Sequence, residues 1–214
     1  MRTGFALILL ALGFLVSCGG EDRNQLAEEP VKSVSDTVDS AGLSEMLRFN
    51  REVNSPDAKG IRGVYEVPEM LSMVILDSAS QEHVAEKRAA AFAAIEADIK
   101  STGAEVDGSP GSIYYTNNPR NFKFECLMLI RRIPSKNPEH SKIVVLEKGP
   151  MLICNHAGGY ASLYRTYAEI KHYLDSLSLK QMGPMREFYI SSPLQTQDSM
   201  TWLTRIMVPV DRKP

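Results

Sequence analysis

Four histidines, His83, His140, His156 and His172, are scattered with no spacing that brings two of them to one metal, and Cys126 and Cys154 each lie in an apolar, strand-like run. No metal motif results, and no cofactor is implied. Cys126 and Cys154 read as two small buried residues, with a bridge between them open in an oxidising compartment. Cys154 and His156 share a face on an extended strand, but a nucleophile and its base need a third orienting group, and none is evident. Gly158-Gly159 stands before a helical stretch, where its ordinary role is to let the chain turn, and its rarer role is to present amides to an anion. Tyr160, Tyr164, Tyr167 and Tyr173 in the following stretch, with Tyr114, Tyr115, Tyr189 and Trp202 on strand-like segments, suit a cleft whose walls are apolar and whose tips are polar. Leu203, Arg205 and Met207 share one strand face, and Glu187 shares one with Tyr189. The candidate ligand contacts are therefore Arg205, Met207, Glu187 and Tyr189, supported by Tyr160, Tyr164, Tyr115 and Glu125.

The elements that would position them come twice in the same order. In the first half an apolar run, Val67 to Leu76, precedes a helical stretch from about Gln81 to Ser101, in which Val84, Arg88, Ala91, Phe92, Ile95 and Ile99 recur at three- and four-residue steps. Two strand-like runs follow, Ser112 to Thr116 and Phe122 to Ile133. After the Pro-, Asn- and Ser-rich connector Pro134 to Ser141, the second half offers Lys142 to Cys154, a helix from about Tyr160 to Leu177, Arg186 to Ile190 and Thr201 to Val210. The order is strand, helix, strand, strand in each half. One such half is too small to bury a sizeable core alone, whereas two together make a plausible domain.

Ahead of this domain the chain changes character. After Met1-Arg2, Phe5 to Val16 is almost wholly apolar, shorter than the ~20 residues a spanning helix needs. It closes in Leu15-Val16-Ser17-Cys18-Gly19-Gly20, which resembles the lipobox of bacterial lipoproteins. That resemblance implies cleavage before Cys18 and acylation of its thiol, with chains such as palmitate, each buried methylene contributing ~0.8 kcal/mol to membrane anchoring. Gly19, rather than Asp, after the cysteine favours the outer over the inner membrane of the cell envelope. The acidic, Ser-rich stretch from Gly19 to about Gly42 lacks sustained periodicity and reads as a tether. The divisions are 1–17 signal peptide, 18–42 lipidated N-terminus and linker, 43–63 short helix and lead-in, 64–134 first module and 142–210 second module.

The 214 residues are 43% hydrophobic and 23% charged, with a net charge of -2, which excludes collagenous and wholly disordered classes. Loss of Arg2 with the signal leaves 23 basic against 26 acidic residues, so the mature chain stands at -3. Nothing supplies the basic patch that nucleic acid requires.

The second half resembles the GyrI-like family, the effector-binding domain of AraC- and MerR-type regulators. The matching residues are Gly149-Pro150, His156-Ala157-Gly158-Gly159-Tyr160, Tyr167, Tyr173-Leu174, Glu187-Phe188-Tyr189, Pro193 and Trp202 to Val210; the first half matches only in topology. The resemblance implies an α+β fold of two pseudo-symmetric β-α-β-β modules, forming a small-molecule-binding domain with an inter-module cleft. Many members carry an acidic residue in the last strand, which meets cationic ligands or serves as a catalytic carboxylate in the hydrolase branch. Here that position is Arg205, which does not give up its proton at neutral pH. The leading expectation is thus a lipid-anchored module that binds an anionic or neutral small organic molecule, without catalysis. The alternatives are a hydrolase using Glu125 or Glu187, and an envelope interaction scaffold that binds no ligand.

Overall fold

The computed structural model describes residues 62–116, 118, 120–191 and 198–212. Cys18, the signal peptide, the tether, the short helix expected from residue 43 and Pro193 lie outside the described residues. Along the chain run β1 (Arg62–Val67), β2 (Met70–Ala79), α1 (Val84–Thr102), β3 (Val106–Tyr114), β4 (Phe122–Ile130), β5 (Lys142–Leu146), β6 (Gly149–Ala157), a single 3-10 turn (Tyr160–Ser162), α2 (Leu163–Ser176), β7 (Leu179–Gln181), β8 (Met185–Ser191), a second 3-10 turn (Ser199–Thr201) and β9 (Leu203–Arg212). Among the described residues no helix is long and apolar enough to cross a membrane.

The periodicity of α1 fits its packing, with Val84, Arg88, Ala91, Ile95, Asp98 and Thr102 buried. Gly103 ends it in the left-handed conformation at φ 70°, donating its N–H to Ile99 O. The first half has one strand more than expected and the second has two, the additional one being the short β7. The run Val67 to Leu76 is corrected to β1 and β2, broken at Pro68, which has no N–H to continue a ladder. Lys142 to Cys154 is likewise corrected to β5 and β6, broken at Glu147-Lys148 ahead of Gly149 at φ 143°.

These breaks let each half lend a strand to the other. β1 pairs antiparallel with β6, and β5 pairs antiparallel with β2. The sheet order is β1-β6-β9-β8-β3-β4-β2-β5, with β7 on β9. Exchanging β1, β2, β3 and β4 for β5, β6, β8 and β9 reverses that order and leaves it otherwise unchanged. The fold is α+β and its halves are pseudo-symmetric about the β3/β8 seam, where Gly111 faces Phe188 and Ser112 faces Glu187.

The sheet curls into a half-barrel with three apolar clusters. Inside the curl, Val67, Met70, Ile113 and Leu127 of the first half meet Leu146, Ile153, Phe188 and Met207 of the second. The outer face carries α1 over Leu71, Met73, Phe124 and Cys126, and α2 over Leu152, Cys154, Ile206 and Val208. Each fully buried side chain of this kind contributes about 1.5–3 kcal/mol relative to exposure. The two helices flank the seam on the outer face, so residues of β3 and β8 that point outward are enclosed between them.

Candidate functional site

At the seam, strand alternation sends Ser112 and Tyr114 of β3, and Glu187 and Tyr189 of β8, to the helix-bearing face. Ser112, Tyr114 and Tyr189 meet Arg88, which α1 delivers from its packing face, and Glu187 is joined to it through the Tyr189 hydroxyl. Arg88 is 6% exposed, an unusual burial for a cation without a first-hand carboxylate partner. Its Nη2 donates to Ser112 Oγ at 3.3 Å and to the Tyr189 hydroxyl. Its guanidinium lies 5.7 Å from the Tyr114 ring centre and 5.3 Å from that of Tyr189, within cation–π range. The Nε–H of Arg88 has no acceptor.

Glu187 is 3% exposed and already holds a donor on each oxygen: Tyr167 of α2 donates to Oε1, and the Tyr189 hydroxyl donates to Oε2 at 3.0 Å. Tyr189 thus bridges cation and anion, receiving from Arg88 and giving to Glu187. Burial pushes the Glu187 carboxyl above its ordinary value, against the opposing pull of Arg88 and the Tyr189 bond. Burial works against the Arg88 charge too, but Tyr114, Tyr189, Cys126 and Glu187 outweigh it and hold the guanidinium above its usual value. Burial raises Tyr114 and Tyr160 to about 12, so both are neutral donors at neutral pH.

Aromatic rings close the cluster from outside. Tyr160, from the 3-10 turn, meets Tyr189 edge to face at 5.7 Å and Trp202 at 5.1 Å, while Phe92 of α1 meets Tyr189 edge to face at 6.5 Å. The turn that places Tyr160 needs glycine at 158, where φ is 127°, and the Gly158 N–H is spent on Trp202 O at 2.9 Å. His156 holds the same turn, its Nδ1 2.8 Å from Thr166 Oγ1 and its Nε2 3.1 Å from Ser162 Oγ. With both ring nitrogens so engaged and the Cys154 thiol pushed up by burial, the pair is structural in character. Cys126 and Cys154 are free thiols, one under each helix. Among the described residues no group of histidine, cysteine and acidic side chains could hold a metal.

Of the sequence candidates, Glu187, Tyr189 and Tyr160 come together here, joined by Tyr114, Tyr167 and Trp202 from the wider aromatic set. Arg205 and Met207 do not. Phe188 faces Arg205 and Arg186 faces Met207 across β8/β9, so both side chains point with Phe188 into the curl, on the opposite side of the sheet from Glu187. Arg205 is 1% exposed and donates from Nε to Asn155 Oδ1 at 3.1 Å, and burial lowers it to about 10. A bridge from Arg205 to Glu187 is ruled out by this geometry. Tyr115 and Glu125 also belong to the inner face, beside Arg186, where burial raises both groups. Tyr164 is 46% exposed and stacks with Arg165 instead. Arg88 was missed as a site residue because its spacing marked it as a packing position; a charge on an otherwise apolar helix stripe was the signal.

A family model described as GyrI-like small molecule binding domain matches residues 81–211. Among solved structures, the C-terminal domain of EcmrR superposes with a TM-score of 0.64 at 17% identity, covering 71% of this chain and 98% of that one. A hydrolase from Listeria innocua superposes at 0.55 with 15% identity, covering 76% and 98%. These likenesses are of fold. No curated protein sequence matches the chain.

Proposed function

Because this chain belongs to the GyrI-like small-molecule-binding family, we propose that it binds a small organic molecule at the β3/β8 seam between α1 and α2, against Tyr160, Trp202, Phe92 and the Arg88–Tyr189–Glu187 relay. The single observation that carries this reading is the relay itself. A buried cation, a buried acid and three hydroxyls are gathered where the two halves meet, under aromatic rings, and a fold needs none of them there for packing. Thermal-shift screening of the mature chain carrying Cys18→Ser, against anionic, neutral and cationic compounds, tests it. Hits should be weakened at least about tenfold by Tyr160→Ala, a loss of ~1.4 kcal/mol. A broad library without one stabilising compound would sink the binding reading and leave the scaffold.

The lipobox resemblance supports placing this domain on the bacterial envelope through acylated Cys18, the stretch from Gly19 to about Gly42 serving as its tether. Cys18→Ser should move the protein from the membrane fraction to the soluble one. An unchanged membrane fraction would overturn the anchor.

A second reading is favoured by Glu187, a buried carboxyl raised above its ordinary value beside two phenols, in a fold that the Listeria innocua hydrolase shares. On it, Glu187 exchanges a proton with a bound substrate. Turnover of a bound compound that is lost in Glu187→Gln, with binding retained, would establish hydrolysis.

A further inference from the structure

Resting on the binding reading above, we infer that the seam selects ligands bearing a carboxylate or carbonyl oxygen over cationic ligands of the same shape, and that Arg88 is the residue that sets this selection. The two charges are unequally occupied. Each oxygen of Glu187 already holds a tyrosine hydroxyl, from Tyr167 and from Tyr189. Arg88, equally deep in the protein at 6% exposed, keeps an Nε–H with no acceptor. A buried donor without a partner leaves its desolvation uncompensated, and a ligand oxygen removes that cost, whereas each oxygen of the acid already has a hydroxyl donor, so a ligand cation relieves no comparable cost.

Both charges reach the place where a ligand would lie. The Tyr160 ring, at the outer wall, stands edge to face on Tyr189 at 5.7 Å, and the Tyr189 hydroxyl holds both Arg88 and Glu187. A cation set against Tyr160 therefore meets the guanidinium's repulsion in a poorly screened setting, offset only in part by a carboxylate that two hydroxyls already engage. Arg205, the charge that the sequence puts forward for an anion, cannot take this part, since it lies across the sheet beside Asn155. Ser112 and Tyr189 hold the Arg88 Nη2, so the guanidinium is fixed rather than free to swing away.

The test uses three probes that share one ring system: naphthoate, naphthamide and naphthylmethylammonium, titrated into the mature Cys18→Ser chain by calorimetry. Naphthoate and naphthamide should each bind at least about tenfold more tightly than the ammonium compound. Arg88→Met, folded by circular dichroism, should abolish the order, bringing naphthoate and the ammonium compound to within about threefold of each other, because the guanidinium that separates them is gone. Arg88→Lys should keep the order while weakening naphthoate, since an ammonium keeps the charge but not the fixed Nε–H. Should Arg88→Met fail to fold, the wild-type order and Arg88→Lys decide. Tighter binding of the ammonium probe by the wild type, or an unchanged order in Arg88→Met, would overturn the selection while leaving the binding reading intact. If none of the three binds while other library compounds do, the selection again fails alone; if nothing in the library binds, the binding reading fails with it.

Discussion

Asp98 shows how much a single buried carboxylate can organise. It is 1% exposed on α1 and accepts from the backbone of Glu139, His140 and Ser141 and from the Ser141 hydroxyl, tying the connector ahead of β5 to the helix. Burial alone would raise its carboxyl, but the Ser141, His140 and Glu139 bonds overturn that and hold it below the ordinary value. A carboxylate with a lowered folded value stabilises above the unfolded value, near pH 3.9, and loses that contribution as pH falls through the folded one. Asp98→Asn, which turns an amide donor towards those donors, should cost about 2 kcal/mol at pH 7. In urea titrations the gap from wild type should then narrow as pH drops below about 4; a constant gap would deny Asp98 this role. The residue scale is also where the sequence was least legible. Spacing placed Glu187 and Tyr189 on one face, and Arg205 and Met207 on one face, correctly in each case. It could not say that these are opposite faces, because that depends on the β8/β9 register, which no local pattern encodes.

The seam between β3 and β8 depends on one glycine for its closeness. A Cβ on Gly111 would stand 2.5 Å from Glu187 O and 3.0 Å from the Phe188 ring, both parts of the strand it pairs with. Neither can yield without opening the ladder that joins the halves and carries Ser112 and Glu187. Gly111→Ala should cost on the order of 3 kcal/mol. Gly159→Ala, where a Cβ meets Ser199 at an ordinary 3.5 Å and φ is -69°, should cost well under ~1 kcal/mol. Equal midpoints for the two in thermal melts would remove the argument from close approach. At this scale most of the fold was legible. The helices expected at 81–101 and 160–177 lie at 84–102 and 163–176, the second led in by a 3-10 turn. The strands expected at 122–133, 186–190 and 201–210 lie at 122–130, 185–191 and 203–212. What periodicity merged were β1 with β2 and β5 with β6, since only Pro68-Glu69 parts Val67 from Met70 and only Glu147-Lys148 parts Leu146 from Gly149. β7, three residues long on β9, left no periodic trace.

Strand exchange ties the two halves of the described domain into a single sheet, although its sequence reads as a duplication. β1 belongs to the first half and completes the second, β5 does the reverse, and the interior of the curl draws on both. Neither half could therefore keep its sheet if the other melted, and long-range pairing of this kind spreads a local loss over the entire domain. The single Trp of the chain, Trp202, sits in the second half against Tyr160, so its fluorescence reports on that half alone. Ile95 is fully buried on the packing face of α1 in the first half, in the cluster with Met73 and Phe124. Ile95→Ala should destabilise by about 2–5 kcal/mol through the lost methylenes and the cavity left behind. If the halves are one unit, the Trp202 transition in urea shifts by that full amount and coincides with the loss of helix by circular dichroism. Two halves that merely touch would leave the Trp202 midpoint where it stands in the wild type and split the helix signal into two steps. The same reasoning bears on the site, because the relay takes Arg88 from one half and Glu187 from the other. A domain that unfolds in two steps would lose the relay at the first of them, and ligand protection would then track the weaker half only.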